Sequence, residues 1–219
     1  NISGCSTAAI TGLPYSTASS NITLAQLNTA GGSLSNSSSI GSYTISYSDT
    51  ASGTCPTTVT RTFKVTTGCG NVTAVQTITI QDTTAPTWTT ASNALNVTLQ
   101  CSDTAGLATA QNQAPTAADN CGGTVTYTKT SGAFSAGNCS NSGTYTNTWT
   151  AKDICNNTST VFTQIITIQD TTAPNWTTQA GSLDRTVECS NQQALASAQA
   201  LFPTASGACD IDLTNITKV

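Results

Sequence analysis

The chain has 219 residues and a net charge of −4, and only 7% of its residues are charged. Its six Lys and Arg residues are scattered and form no basic stripe that would neutralise phosphates, which argues against nucleic acid as a partner. No apolar run reaches the length of a membrane span, so we expect no direct membrane insertion. Histidine is absent, and no Gly-rich phosphate loop or Gly-x-Ser-x-Gly motif occurs, so we expect no enzymatic activity and no catalytic residues.

Residues 1–81 are predicted to form the first of three repeats. Phe63 and Cys69 lie where Trp149 and Cys155 lie in the following repeat, and residues 41–55 resemble residues 123–139. Because residues 31–39 are rich in Gly and Ser, we interpret roughly positions 6–42 as a loop insertion. We expect this repeat to be truncated at its N-terminal side, without an opening strand and an opening cysteine.

Residues 82–169 are predicted to form the second, complete repeat. Residues 78–90 recur almost letter for letter as residues 166–178, an offset of 88 positions that indicates tandem repeats. Short segments such as 144–150 and 160–168 place apolar residues at every second position, which is typical of antiparallel strands with one dry face. Repeat length and strand pattern together predict immunoglobulin-like β-sandwiches.

Residues 170–219 are predicted to form a third repeat, truncated at its C-terminal side. Between the first two cysteines of this repeat, residues 194–202 are rich in alanine, with Leu195 and Phe202 seven positions apart. This spacing predicts one or two helical turns that end before Pro203. The fold class is therefore predicted to be all-β: tandem, disulfide-stapled immunoglobulin-like sandwiches with a short helical turn in each repeat.

Nine cysteines without a Cys-x-x-Cys pair argue against zinc and indicate disulfides, and hence an oxidising compartment. An all-cysteine metal site stays formally open. Pairing neighbouring cysteines within each repeat leaves one residue over, Cys5, whose partner we expect upstream. Each such bridge would close a loop of about fifteen to twenty residues and contribute about 3 kcal/mol. The predicted bridges are Cys55–Cys69, Cys101–Cys121, Cys139–Cys155 and Cys189–Cys209.

Three runs of residues carry a likeness to a known family. They are Ala-Asp-Asn-Cys at 118–121, Trp-Thr-Ala-Lys-Asp-Ile-Cys-Asn-Asn at 149–157, and the Ile-Thr-Ile-Gln-Asp-Thr-Thr-Ala-Pro that closes each repeat. They resemble the Cys-rich, hyalin-type repeats of very large Bacteroidota surface adhesins, including those of gliding motility. Asn156 departs from the pattern, since the family usually has Gly there. The resemblance implies type IX secretion, attachment to the outer membrane at the cell surface, and a role in adhesion or gliding.

Asp82 and Asp170 each begin the sequence Asp-Thr-Thr-Ala-Pro between two repeats. Proline restricts the backbone and the aspartate side chain sets a turn, which favours a short, rigid joint without any cofactor. The alternative is a joint stiffened by calcium, which requires several oxygen ligands. The candidate calcium ligands are Asp82, Asp119, Asp153 and Asp170.

Four Asp-Thr pairs followed by a small residue or a second threonine also resemble the O-glycosylation sequon of Bacteroidota. The candidate acceptors are Thr50, Thr83, Thr104 and Thr171. Among the tryptophans, Trp149 lies in an alternating segment and is predicted to pack in a core. Trp88 and Trp176 follow the joints and are expected to bury against a neighbouring module.

The function that these features favour is mechanical: a stalk or filament segment of a large secreted adhesin. Repeats that contact mainly their neighbours add length without changing fold. The expected partners are neighbouring repeats of the same chain, with surface glycans and the gliding or secretion machinery as further candidates. The alternatives are glycan-binding repeats, accessory modules of a large secreted enzyme, and lateral assembly of chains into a fibre.

Overall fold

A computed structural model of the chain describes residues 1–35, 41–137, 141–207 and 209. These residues form three α-helices, α1 (Leu24–Thr29), α2 (Thr104–Asn112) and α3 (Gln192–Gln199), and one 3-10 turn at Thr7–Ala9. The strands are β1 (Ile2–Ser3), β2 (Ser20–Ile22), β3 (Tyr43–Ser52), β4 (Thr57–Thr67), β5 (Gly70–Gln81), β6 (Thr87–Trp88), β7 (Val97–Gln100), β8 (Ala117–Ala118), β9 (Thr126–Ser131), β10 (Ser135–Ala136), β11 (Gly143–Lys152), β12 (Phe162–Gln169), β13 (Asn175–Trp176) and β14 (Ala205–Ser206). The predicted all-β class with a short helix in each repeat is confirmed.

The chain divides into two compact units, each of which takes residues from more than one predicted repeat. Unit 1 consists of Asn1–Thr89, Thr116–Thr128 and Thr150–Val161. Unit 2 consists of Thr90–Pro115, Lys129–Trp149 and Phe162–Val219. The repeat boundaries at residues 82 and 170 stay predictions.

Unit 1 is built on a five-stranded sheet in the order β1-β5-β4-β3-β2. Strands β3, β4 and β5 are long and antiparallel. Buried residues recur at every second position in the middle of β3 and the first half of β4, whereas the first eight residues of β5 are exposed. Ile10, Val59 and Ile80 form the buried cluster of this unit, with Ile2 and Tyr15 packed against it. The core is small, so covalent links contribute substantially to its stability.

The first repeat has an opening strand, contrary to the prediction. Strand β1 runs parallel to β5 with Ile2 opposite Ile80, just as β7 runs parallel to β12 with Leu99 opposite Ile168. Ile80 and Ile168 are separated by the repeat offset of 88 residues. Cys5 therefore follows β1 as Cys101 follows β7. The strand escaped prediction because two residues are too few to show a period.

The segment 6–42 is packed structure rather than the predicted loop insertion. Its Leu13 and Leu27 are buried, and its strand β2 pairs with β3. Helix α1 begins at a capping box in which Thr23 accepts a hydrogen bond from the Gln26 backbone and the Gln26 side chain bonds back to Thr23. Residues 31–35 are irregular, and residues 36–39 of the predicted loop lie outside the described part of the chain.

Unit 2 contains a sheet in the order β10-β11-β12-β7, with β9 also paired to β11. Its buried cluster is Ala110, Ile166 and Ile168, so helix α2 covers one face of the sheet. Trp149 is 2% exposed and lies edge-on to Phe162, which confirms its predicted place in a core.

Helices α2 and α3 each begin directly after a residue whose side chain caps the helix. Asp103 and Asn191 cap them: the side chain of each accepts a hydrogen bond from the backbone N–H three residues on, at Gly106 and Ala194. Helix α3 ends at Gln199, before Pro203, and this confirms the helical turns predicted in the third repeat.

The prediction that Trp176 buries against a neighbouring module is wrong, and Trp88 makes contacts within its own predicted repeat. Trp176 is 61% exposed. Trp88 is half-buried; its Nε1 donates to the Thr160 carbonyl at 2.8 Å and its ring lies 6.2 Å from that of Tyr127. Thr160 and Tyr127 belong to the same predicted repeat as Trp88, so the indole anchors its own module.

Candidate functional site

Three disulfides join cysteines of successive predicted repeats. They are Cys5–Cys121, Cys55–Cys155 and Cys101–Cys209, with Cα–Cα distances of 5.0, 5.3 and 6.0 Å. Cys69 and Cys189 are free, exposed thiols. The predicted bridges Cys55–Cys69, Cys101–Cys121, Cys139–Cys155 and Cys189–Cys209 are therefore wrong, as is the expected upstream partner of Cys5. Cys139 itself lies outside the described residues.

Strand geometry explains why neighbouring cysteines do not pair. Cys55 precedes β4 and Cys69 follows it, so the whole extended strand separates them. Eleven residues at about 3.4 Å each span roughly 37 Å, far beyond the 7 Å that a disulfide tolerates between Cα atoms. In a sheet with strands this long, two cysteines that are close in sequence are therefore not the expected disulfide partners.

The observed pairing follows a rule that repeats along the chain. Cys5 follows the opening strand β1 and bonds to Cys121, and Cys101 follows the opening strand β7 and bonds to Cys209. Cys121 and Cys209 are separated by the repeat offset of 88 residues. The opening cysteine of one repeat is therefore bonded to the second cysteine of the next.

Two of these disulfides flank a pocket of about 130 Å³ in unit 1. Three of the four predicted calcium ligands, Asp82, Asp119 and Asp153, lie together in its lining. The fourth, Asp170, belongs to unit 2 and is exposed, and among the described His, Cys, Asp and Glu residues its carboxylate is grouped with the sulfurs of Cys101 and Cys209. We call the group Asp82, Asp119 and Asp153 the carboxylate pocket.

Asp82 holds the central place in the carboxylate pocket. It follows β5 directly and is 5% exposed. Its Oδ1 accepts a hydrogen bond of 2.9 Å from the Thr84 N–H, which is the turn predicted for Asp-Thr-Thr-Ala-Pro. A carboxylate oxygen of Asp82 lies within 4.8 Å of one from Asp153, and the same holds for Asp119.

Asp153 is held by the turn that connects β11 to β12. Its Oδ1 accepts from the Asn157 backbone N–H and its Oδ2 from Asn157 Nδ2, both at 2.8 Å. Asn157 Nδ2 also donates to the backbone carbonyl of Asp82 at 3.0 Å. The turn depends on Asn156, whose φ of 67° lies in the left-handed region. Asn156 thus occupies a position that suits glycine, the residue the family usually has.

Asp119 enters the pocket from the segment after β8. Its Oδ2 accepts a hydrogen bond of 2.8 Å from the Cys121 N–H. Its Oδ1 is buried and has no hydrogen-bond partner among the described residues. A buried carboxylate oxygen without a partner costs free energy unless a cation or a proton satisfies it.

The pocket lining contains no Lys or Arg, although three carboxylates meet there. Within the described part of the chain the one ion pair is Arg61–Asp49, in the core of unit 1. The sulfurs of Cys121 and Cys155 lie near the carboxylates, but both are bound in disulfides and offer no thiolate. The donor set consists of oxygen atoms, which suit a hard cation.

All four candidate glycosylation sites are exposed, at Thr50, Thr83, Thr104 and Thr171. The Thr83 hydroxyl shares a hydrogen bond with Ser3 and the Thr171 hydroxyl accepts one from Gln100. Their modification stays a prediction.

Asn157 was not predicted from the sequence. It lies four residues after Asp153 and directly after Asn156, at which the repeats that this chain resembles usually have glycine. This pattern indicates a turn that holds a carboxylate.

Comparison with known protein families gives a match for the middle part of the chain. Residues 89–168 match the model of the HYR-like domain with four cysteines. The four cysteines of this stretch are Cys101, Cys121, Cys139 and Cys155. Neither the curated proteins nor the solved structures contain a match to the chain.

HYR-like domains are extracellular repeats of the adhesion type, and residues 89–168 match the model of such a domain. The predicted disulfide-stapled, all-β immunoglobulin-like fold is confirmed at this level. No helix within the described ranges is long and apolar enough to cross a membrane.

Proposed function

We propose that the chain is a structural stalk segment of a large secreted bacterial cell-surface adhesin. The observation that carries this proposal is the pairing of cysteines between successive repeats. A bridge within a repeat limits the extension of that repeat alone, whereas a bridge between two repeats transmits tension from one repeat to the next. Extracellular repeats of the adhesion type are suited to this role, because each contacts mainly its neighbours.

The overlap of the three bridges sets a short covalent path through the chain. From Cys5 the path crosses to Cys121, returns along about 20 residues to Cys101 and crosses to Cys209, a span of roughly 70 Å when extended. Without disulfides the same two ends are separated by about 204 residues, or roughly 700 Å. The bridges therefore reduce the greatest possible distance between Cys5 and Cys209 about tenfold, even after every strand has been pulled apart.

The finer proposal rests on the family resemblance. The closing Ile-Thr-Ile-Gln-Asp-Thr-Thr-Ala-Pro and the Cys-containing runs resemble the repeats of Bacteroidota adhesins, with the gliding adhesin SprB of flavobacteria as the nearest likeness. On this proposal the protein is exported by type IX secretion, attached at the outer membrane, and used in adhesion or gliding motility. Its partners are then neighbouring repeats, surface glycans and the gliding machinery.

Single-molecule force spectroscopy tests the mechanical role. When the oxidised chain is held at its two ends and fully unfolded, the contour length between Cys5 and Cys209 is expected to be roughly 70 Å, and roughly 700 Å after reduction. Pairing of neighbouring cysteines would instead allow roughly 470 Å in the oxidised chain. A contour length near that value, or equal lengths in both states, contradicts a covalently continuous stalk.

Display at the cell surface is tested separately. An antibody against residues 89–168 is expected to label intact cells of the source bacterium and to lose its target after external protease treatment. Labelling only after cell lysis would contradict the adhesin role and would leave the folding of the repeats unaffected.

A further inference from the structure

The carboxylate pocket of unit 1 gathers negative charge that nothing in its lining neutralises. Asp82 and Asp153 are 5% and 7% exposed, and Asp119 adds a third carboxylate. Two buried carboxylates and a third, partly buried one that lie this close repel one another, and a bound cation would remove that repulsion. We propose that this pocket binds one Ca²⁺ ion.

One unsatisfied oxygen atom points to a ligand independently of the acidic cluster. Asp119 Oδ1 is buried and accepts no hydrogen bond from any described residue. Asp82, which is 5% exposed, uses its Oδ1 to accept a hydrogen bond from the Thr84 N–H. Both side chains line the same pocket of about 130 Å³. A bound cation would satisfy Asp119 Oδ1 and would contact the Asp82 carboxylate as well.

The spacing and chemistry of the donors select calcium. Two ligands of one Ca²⁺ ion lie up to about 5 Å apart, because each Ca–O distance is about 2.3–2.6 Å. The carboxylate oxygens of Asp153 and Asp119 each lie within 4.8 Å of one from Asp82. The Thr57 side chain and backbone carbonyls of the lining offer further oxygens. Zinc favours nitrogen and thiolate ligands, and the nearby sulfurs are bound in disulfides.

Asn157 positions two parts of the proposed site. It fixes both oxygens of Asp153 and also donates to the Asp82 backbone carbonyl. Each carboxylate oxygen keeps a second lone pair for a metal after it accepts one hydrogen bond. The end of β5 and the turn after β11 are thereby aligned before any ion binds, which reduces the entropic cost of binding.

The second Asp-Thr-Thr-Ala-Pro joint provides an internal control. Asp170 has the same local sequence as Asp82, and its Oδ1 likewise accepts from the N–H two residues on, at Thr172. It is exposed, however, and the repeat offset of 88 places Gly207 where Asp119 would stand. A calcium ion that needs the carboxylate pocket will not bind at Asp170.

The test is calcium binding to the oxidised chain of 219 residues, with matched Asp→Asn variants. Titration calorimetry is expected to show one Ca²⁺ per chain with a Kd between about 10⁻⁴ and 10⁻³ M, as in other extracellular modules. In 10 mM CaCl₂ the Tm should rise by about 5 °C relative to EDTA. Asp82→Asn and Asp119→Asn should lose both effects, and Asp170→Asn should keep both.

Stability in EDTA separates loss of a site from loss of fold. Without metal, Asp119→Asn removes a repelling charge, so its Tm in EDTA should equal or exceed that of the unmodified chain. A rise in EDTA together with no response to calcium supports the site. Three results would overturn the proposal. They are no Ca²⁺ binding at 10 mM CaCl₂, the same rise in Tm with MgCl₂ as with CaCl₂, and a loss of binding in Asp170→Asn as large as that in Asp82→Asn. The outcome does not depend on the adhesin role.

Discussion

Arg61 and Asp49 face each other on β4 and β3 as a buried, two-point ion pair. Arg61 Nε donates to Asp49 Oδ1 and its Nη2 donates to Asp49 Oδ2, both at 2.8 Å. The same Nη2 donates to the Leu13 carbonyl at 2.9 Å, and Asp49 Oδ2 accepts from the Ser16 N–H. The pair therefore ties the segment before β2 to the centre of the sheet, which explains why that segment is ordered.

Replacing Arg61 by Met should destabilise the protein by about 3–5 kcal/mol, because Asp49 would keep a buried charge without a partner. Urea unfolding followed by circular dichroism measures the change. Lys64→Met, on an exposed position of the same strand, should cost less than about 0.5 kcal/mol. The double variant Arg61→Met, Asp49→Leu should recover much of the loss, and equal losses in the single and double variants would contradict the explanation.

The disulfide pattern predicts which thiols react. In the folded, unreduced protein, iodoacetamide should label Cys69 and Cys189 and should leave unlabelled the six cysteines of the three bridges. Peptide mapping by mass spectrometry reads this directly. Cys69→Ser should not change stability, whereas Cys55→Ser should expose Cys155 to the reagent. Recovery of a peptide with Cys55 linked to Cys69 would contradict the structure.

The two free thiols have bonded counterparts in the repeat. Cys189 lies 88 residues after Cys101, and Cys69 corresponds to Cys155 after the penultimate strand of its sheet. Cys101 bonds to a following repeat and Cys155 to a preceding one. Cys69 and Cys189 therefore occupy positions whose counterparts, Cys155 and Cys101, bond to another repeat.

Sequence patterns predicted the parts of the fold that depend on local periodicity. The alternation in β11 and β12 and the alanine-rich turns of α3 follow from side-chain spacing, and each formed where expected. Disulfide partners could not be predicted in this way, because they depend on which strand ends meet in three dimensions. Strand β1 was also missed, since a two-residue parallel strand is defined only by its partner.

The carboxylate pocket was predictable in part. Asp82, Asp119 and Asp153 were candidates from sequence, but so was Asp170, which the fold leaves exposed. Only the tertiary structure brings the first three together and leaves Asp119 Oδ1 without a partner. The ion pair of Arg61 and Asp49 had no sequence signal, because single charges in a Thr-rich chain look like ordinary surface residues.

Asn156 should tolerate glycine better than any branched residue. Its φ of 67° strains a residue with a branched Cβ by about 1–2 kcal/mol, and glycine adopts this conformation freely. Asn156→Gly should therefore change the unfolding free energy by less than about 0.5 kcal/mol, and Asn156→Val should lower it by about 1–2 kcal/mol. Ile154→Val, exposed in the same turn, is the control for a branched residue at an ordinary φ. Equal effects of Gly and Val at position 156 would show that backbone conformation is not the cause.

Gln164 holds together a polar network that lies inside unit 2. It is fully buried, its Nε2 donates to the carbonyls of Leu95 and Ala110 at 2.9 and 3.1 Å, and its Oε1 accepts from Asn147. Gln164→Met keeps the length of the side chain but leaves these groups unpaired, so the unfolding free energy should fall by about 2–4 kcal/mol.

Denaturant unfolding measures that loss, with Gln169→Met on the exposed end of the same strand as the control, expected within about 0.5 kcal/mol of the unmodified chain. The network also connects helix α2 to the sheet, because both Ala110 and the Asn147 partner Gln111 belong to that helix. Hydrogen exchange in Gln164→Met should therefore accelerate in α2 and β12 together. Faster exchange confined to β12 would mean that apolar contacts of Ala110, and not the amide network, hold the helix in place.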